Sequence, residues 1–550
     1  MENDFNDLFL EPSKYYEGGL KEQHSETLNE FFDDLVKKSG IDAEGNKVTA
    51  KKIAAKRVEV NDAEKKVKKI KRLRTFLLVI GIIFVVALIG IIFLVLRKKK
   101  KAELDNMTAV QEKAQKELDE LIAQSREEIA PLVNLFTDDM STELVNKSAP
   151  FIKFNKCLSS EFFARMVEQF AYKEDERPCA STLVVQSGTL RNNPFIIRQY
   201  YLQTMQPHIY TGTLVITYTT TIHTSEGTKT VTHTQTLVAH HTEDEPVYNV
   251  NSQLVYCNDA CPKLSFSRKP TNLYSMNEKQ IAKYIANFEK EDNKRAEKAI
   301  KHGQSYTKMT NSKFEAYWNS ESRTDEVGYR LMFTPLAQTN ITHLYSLKDP
   351  YGDDVYYVKE GCVNTLASAH SASLDYSGGT YNYDGDTFEE VEYKFKNYNL
   401  TFFQGMIFDF MTIISIPIFH QNESAPFLGS DKPLSNVTKY ETEVMANKLN
   451  TDDFKHEDSD TDVILEVRKV RKGATYDDVE IVAHSFEAID QVIFVPTLGG
   501  DGKMHPVPVH YYIYEPLERV TKARAYKNAS ALKADNVIRY KDFALEILGE

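Results

Sequence analysis

The residue groupings whose types and spacing suit chemistry begin with Cys257 and Cys261, a C-x3-C that fits a small disulfide loop or half of a metal site. A structural zinc site takes about four ligands, and no second C-x2-C or H-x3-H completes one here. The chain has five cysteines, Cys157, Cys179, Cys257, Cys261 and Cys362, which cannot all pair within one copy. Independent thiols and a Cys257–Cys261 bridge both stay open. Asp458, Asp460 and Asp462 occupy the first ligand positions of a calcium loop, but Val463 stands where such a loop needs glycine and Lys469 where it needs glutamate. An acidic loop in solvent fits them better. Gly499 to Lys503 resembles a phosphate loop only in its glycines, because a Pro-containing strand follows it instead of a helix start. It reads as a hairpin turn. His240 and His241 are adjacent on a strand and point to opposite faces, and the hairpin register expected below separates His223 from His233 in the same way. Neither a G-x-S-x-G elbow nor an H-E-x-x-H helix occurs. No catalytic residue, metal ligand, cofactor-binding residue or cofactor is therefore assigned.

The strongest element in the chain is apolar. Residues Phe76 to Leu96 are 21 residues without a charge, about 31 Å as a helix at ~1.5 Å per residue, which matches a bilayer core. The expectation is one transmembrane helix within 75–97, contacting the lipid bilayer through 76–96. A basic juxtamembrane helix over 51–74 would lead into it. Lys65, Lys66, Lys68, Lys69, Lys71, Arg72 and Arg74 precede the run, and Arg97 to Lys101 follow it. Within 20 residues of each end the basic count is 9 before and 7 after. That margin points to a cell membrane protein with a cytoplasmic N-terminus and an external C-terminal region.

Residues 98–133 continue as a helical stalk. Leu104, Met107, Ala114, Leu118, Leu121 and Leu132 fall on heptad positions, and Gln111, Ser125 and Glu128 interrupt them. Two readings stay open: a parallel homo-oligomeric coiled coil through 102–130, and a lone helix packed on its own domain. Residues 1–50 form an acidic, mostly disordered tail with a short helix over 28–38, opened by Thr27 and Glu30 as a capping box and closed by Gly40.

With 42% hydrophobic and 27% charged residues, 30 Tyr and 30 Phe, the rest has ordinary globular composition. Of the net charge of −12, the first 50 residues carry five bases against twelve acids and residues 51–101 carry sixteen against three. The large C-terminal part is thus acidic, which argues against nucleic acid as a partner. A β-rich domain is expected over 134–272, its clearest element a hairpin over 212–240. With Glu226 and Gly227 as the turn, Leu214, Ile216, Ile222, Val231, Leu237 and Ala239 share an inner face, and Thr217, Thr219, Thr221, Thr232, Thr234 and Thr236 form a ladder on the other. A connector helix over 276–303 leads into a second, α+β domain over 304–550. Strands are expected at 479–482, 492–495 and 507–514, and a closing helix from about Ala531. Phe402 to Phe419 is apolar but interrupted by Gln404, Asp409 and Pro417, which reads as a core helix and not a second span. The fold class is α+β: one transmembrane helix, a stalk, and two β-rich domains joined by a helix.

Asn258 to Arg268, with Val495-Pro496, Gly499 to Gly502, Val507 to Val509 and Tyr514 to Pro516, resembles a group of uncharacterised single-pass membrane proteins of low-GC Gram-positive and wall-less bacteria. The resemblance extends from the membrane helix almost to the C-terminus, implies a bacterial origin and carries no activity. Cys261 departs from the group's pattern. These observations lead to an expectation of a membrane-anchored, non-catalytic envelope protein presenting β-rich domains for binding or scaffolding. The alternatives are a hydrolase-type ectoenzyme without a local signature, and a signalling or transport accessory protein acting through its N-terminal tail.

Overall fold

The computed structural model describes residues 6–83, 89–175, 177–224, 227–303, 306, 308–421, 437–528 and 537–548. It is α+β and divides into two compact units. One combines Met1–Gly19, Ala149–Ser377 and Gly405–Glu550; the other combines Leu20–Ser148 and Gly378–Gln404.

The larger unit holds two antiparallel sheets. Its strands are β1 (Ile152–Phe154), β2 (Ala180–Leu190), β3 (Asn193–Thr224), β4 (Gly227–Cys257), β5 (Ser265–Arg268), β6 (Ser320–Glu321), β7 (Val355–Glu360), β8 (Val363–Ser368), β9 (Ile464–Arg471), β10 (Tyr476–Leu498), β11 (Met504–Tyr526), β12 (Val537–Tyr540) and β13 (Phe543–Ile547). The first sheet runs β1-β2-β3-β4-β8-β7-β5-β6 and the second β12-β13-β11-β10-β9. Val185, Ile196 and Val255 of the first pack with Leu465, Val467, Ile481, Ala523 and Leu545 of the second, and helix Lys439–Asn447 adds Tyr440, Val444 and Met445 to the same core.

Several expected boundaries shift. Leu254 of β4 pairs with Leu366 of β8, so strands assigned to a second domain complete the first sheet, and the division near residue 304 falls inside one folded unit. The expected connector is helix Glu278–Lys301, capped by Asn277 with Gln280 and ended by left-handed Gly303, but it lies within this unit. Where described, the expected closing helix is replaced by strands: Phe543, Ala544 and Leu545 are buried in β13, while the start of that expected helix falls in residues 529–536, outside the described ones. The acidic tail is ordered where described. Leu8 and Tyr16 are buried, the Phe9 ring lies 4.2 Å from the His420 ring, and Asn340 Nδ2 donates to Leu10 O at 3.0 Å. A sparse apolar stripe suffices here because surrounding structure supplies most of the contact area.

Strands β3 and β4, and β10 and β11, are far longer than a sheet needs. Their ends form two ribbons stacked through Ile216, Leu237, Ala239, Val507 and Val509. Gly212 permits that approach, since a Cβ there would lie 2.0 Å from the Pro508 carbonyl oxygen. The expected faces hold, with Leu214 opposite Leu237. The register is two residues tighter, however, and the threonine pairs are Thr217–Thr234, Thr219–Thr232 and Thr221–Thr230. Gly499 to Lys503 closes the second ribbon as a turn.

The smaller unit is helical. Its core gathers Leu28, Phe32 and Leu35 of helix Lys21–Ser39, Ile129 and Leu132, Met140 and Leu144, and Phe388, Val391 and Phe395. Helix Lys21–Ser39 starts a turn and a half before the expected capping box, and Thr27 Oγ1 instead donates to Gln23 O. Gly40 ends it in the left-handed conformation as the sequence indicates. From this core two helices project side by side, Ala43–Ile83 and Ile89–Val133. They run antiparallel: Asn46 Nδ2 donates to Ser125 Oγ at 2.9 Å and Lys56 Nζ to Glu117 Oε2 at 2.6 Å.

This pairing corrects the expectation of a straight helix leading through the apolar run into a stalk. The stalk's seam residues Leu104, Ala114, Leu118 and Leu132 are indeed buried. The preceding helix supplies the matching heptad, with Ile53, Ala63, Val67 and Leu77 buried. Its polar members meet the polar interruptions, for Asn46 and Thr49 bond Ser125 and Glu128. The seam that the spacing offered to a second copy is thus filled within the chain. Arg57 and Arg126 converge on Asp386 and fasten the base. Among the described residues no helix is long and apolar enough to cross a membrane; the middle of the expected span, residues 84–88, lies outside them.

Candidate functional site

The most enzyme-like group of side chains surrounds His370. Ser368 ends β8 and caps the short helix Ala369–Ser373, setting His370 and Ser371 just past the end of that strand. Asp354 immediately precedes β7, and Asp409 comes from helix Phe388–Ile414. His370 Nδ1 donates to Asp354 Oδ2 at 2.9 Å, and the His370 backbone N–H donates to the same oxygen at 2.8 Å. Nε2 lies 3.3 Å from Asp409 Oδ1. Asp409 is buried and accepts from Ser368 Oγ at 2.9 Å, Tyr376 OH at 3.2 Å and Ser371 Oγ. The Tyr351 ring stacks on the imidazole at 4.1 Å with 4° between planes.

Burial opposes a charge on His370, but hydrogen bonds and attraction from Asp354 and Asp409 outweigh it and raise the pKa to about 10. At neutral pH the ring is a cation with no free lone pair. It cannot serve as a general base. The Ser371 hydroxyl is directed to Asp409 and not to the histidine, so no nucleophile is activated. The adjoining cavity, lined by Tyr351, His370, Phe408 and Thr412, has a volume of about 10 Å³, which accommodates about one water. The group is an ion cluster that locks β7, β8 and the helix together. Asp409 was legible in the sequence as the one acid within an apolar run. Asp354 and His370 were not, because 16 and 39 residues separate them from their partners in sequence without a shared spacing.

The other candidates resolve as structure. All five cysteines are free, and burial pushes the Cys257 and Cys261 thiols up. Lys359, itself buried and lowered to about 8, donates to Ala260 O and Gly361 O beside them. Asp460 accepts from the Ala488 backbone and Asp462 from Tyr201 OH, which pins the acidic loop to the ribbons. His240 pairs with Thr211, His233 with Thr220, and His241 lies 3.4 Å from Glu243. Among the described residues no group of His, Cys, Asp or Glu could hold a metal ion. Phe402, Phe403, Met406, Ile407, Phe410 and Ile414 are buried, so the second apolar segment is core.

One surface feature has no such account. Near their free ends the paired helices expose Phe76, Val79, Ile82, Ile92, Val95 and Leu96, with Ile82 62% and Ile92 60% accessible. The basic residues Lys65–Arg74 and Arg97–Lys101 flank this region and include no acid. Single exposed apolar residues are ordinary, but here they recur on both helices and are bounded by cations. Comparison with protein-family models, with curated proteins and with solved structures found no match to this chain.

Proposed function

We propose that this chain is a membrane-anchored, non-catalytic protein that presents its β-rich unit, with the two stacked ribbons, for binding or scaffolding. One observation carries the reading. Within the 21-residue apolar run Phe76 to Leu96, the described residues Phe76, Val79, Ile82, Ile92, Val95 and Leu96 are exposed on the helices that bear them, between two clusters of lysine and arginine. Water would have to solvate that zone, whereas a bilayer solvates both the apolar side chains and the cations at its headgroups. The catalytic alternative finds no support in the His370 cluster, whose imidazole lies between two carboxylates beside a cavity of about 10 Å³. The resemblance to bacterial membrane proteins favours a bacterial cell membrane. A single spanning helix with the N-terminus inside remains one form of the anchor; the antiparallel pairing favours another.

The test is fractionation of cells expressing the full chain. The protein should sediment with membranes and resist alkaline carbonate, and I82D/I92D should release it, since each central Asp costs about 2.5–3.5 kcal/mol in a bilayer. Wild-type protein recovered in the soluble fraction would dismiss the reading.

A further inference from the structure

We infer that the outer face of the β10–β11 ribbon is a contact for a second copy of this chain, packed face to face and antiparallel about a twofold axis. The inference gives the scaffolding role proposed above a partner and does not draw on the membrane anchor.

The face follows from the pairing. Val495, Val507 and Val509 turn one side of this ribbon toward the β3–β4 ribbon, so the alternate residues of both strands face outward. Paired across the ladder on that outer side are Leu498 with Met504, Pro496 with Pro506, and Phe494 with Pro508. Phe494 and Leu498 are 62% accessible and Met504 58%. Exposed Val492 and Tyr512 continue the apolar strip as far as Asp490, which lies 3.6 Å from His510. Asp490 is the one carboxylate on the strip, in a chain of which 27% of residues are charged. Water solvates such a strip poorly, and covering it is favourable.

The prolines decide how it is covered. Proline fits an antiparallel ladder only where its nitrogen points away from the paired strand, so Pro496 on β10, and Pro506 and Pro508 on β11, remove N–H donors from the ribbon's outer edges. A partner adding as a further strand would find those donors missing. Contact through side chains on the face remains. A charged partner has little to pair with there, whereas the same strip on a second copy withdraws apolar area from water on both sides at once. The exposed outer face of the β3–β4 ribbon, with Thr217, Thr219, Thr232 and Thr234, is a poorer match, because apolar side chains laid on it would dehydrate its hydroxyls.

Charge sets the direction. With the twofold axis over Phe494 and Pro508, midway along the strip, an antiparallel arrangement lays the Asp490 end of each copy over the turn of the other, which carries exposed Lys503. A parallel arrangement would bring both Asp490 carboxylates to the same end. From Asp490 to Leu498 the strip is about 26 Å long at ~3.3 Å per residue, and it is only two strands wide. Roughly 500 Å² over the two copies is then buried, below the ~1,200 Å² of a standard stable complex. The contact is therefore weak, and it forms where copies are concentrated.

The experiment uses the purified full chain carrying V492C, a change at an exposed position that leaves Phe494 in place. In the antiparallel pair the two 492 positions lie about 13 Å apart along the strands at ~3.3 Å per residue, within reach of a bismaleimide of similar length. Concentrated protein is treated with that reagent, and links are read peptide by peptide by mass spectrometry, which tells the native cysteines apart. The peptide carrying position 492 should link to itself, as only two copies can. An equal mixture of T217C and V492C chains should give no 217–492 link, and finding one would overturn the twofold in favour of head-to-tail stacking. Met504→Asp added to V492C sets a carboxylate against Asp490 of the other copy and should cut the yield more than about tenfold, whereas Met504→Lys should cut it less. Equal losses would overturn the antiparallel direction. Absence of the 492–492 link from the V492C chain itself overturns the contact. None of these outcomes touches membrane attachment, which the fractionation above decides separately.

Discussion

Replacing His370 with glutamine tests the buried ion cluster through pH. Folding raises the His370 pKa from 6.5 to about 10, so the native state holds that proton more tightly than the unfolded chain. The resulting stabilisation is complete below the unfolded value and is lost as pH climbs through the folded one. The interval from 6.5 to about 10 corresponds, at ~1.36 kcal/mol per pKa unit, to a ceiling of about 5 kcal/mol. The assay is urea denaturation followed by the emission of Trp318, the only tryptophan. It is fully buried in the same unit as His370. Wild type should lose stability across that pH interval. H370Q should start lower and decline less, so that the gap between the two chains narrows as pH rises. Other alkaline titrations, such as that of Lys359 with its pKa near 8, occur in both chains and cancel in the difference. A gap that stays constant from pH 6.5 to 10 would refute the picture of an imidazolium held between Asp354 and Asp409.

Gly212→Ala should separate the two ribbons, because its Cβ would meet the Pro508 carbonyl; hydrogen exchange should then accelerate at Gly500, whose N–H bonds Gln235, and unchanged exchange would count against the stacking. Leu118→Ala in the helical seam should lower stability by about 2–5 kcal/mol without altering the oligomeric state in sedimentation, and a change of oligomer would return that seam to a second copy. Burial raises the Cys157 thiol to about 12 and raises Cys257 further, so in native protein both should resist alkylation at neutral pH until denaturant is added. Rapid labelling of either would show that their core opens.

Much of the local structure was readable from residue order. The apolar run and its cations, the heptad from Leu104 to Leu132, Gly40 as a helix end, the 402–419 core helix, the β3–β4 faces and the Gly499 turn each follow from composition or period within a short window. Heptad spacing states only that a stripe will be buried; it does not state against what. The covering helix could belong to another copy or to the same chain, and the choice fell to Asn46, Thr49 and Lys56, whose polar groups meet Ser125, Glu128 and Glu117 about 60 to 80 residues away. Likewise the tail is ordered by burial of Leu8 and Tyr16, the first sheet is completed by strands from beyond residue 350, and His370 becomes a cation only because Asp354 and Asp409 are folded onto it. These outcomes belong to tertiary structure because their energies come from groups distant in sequence, whose proximity no periodicity records.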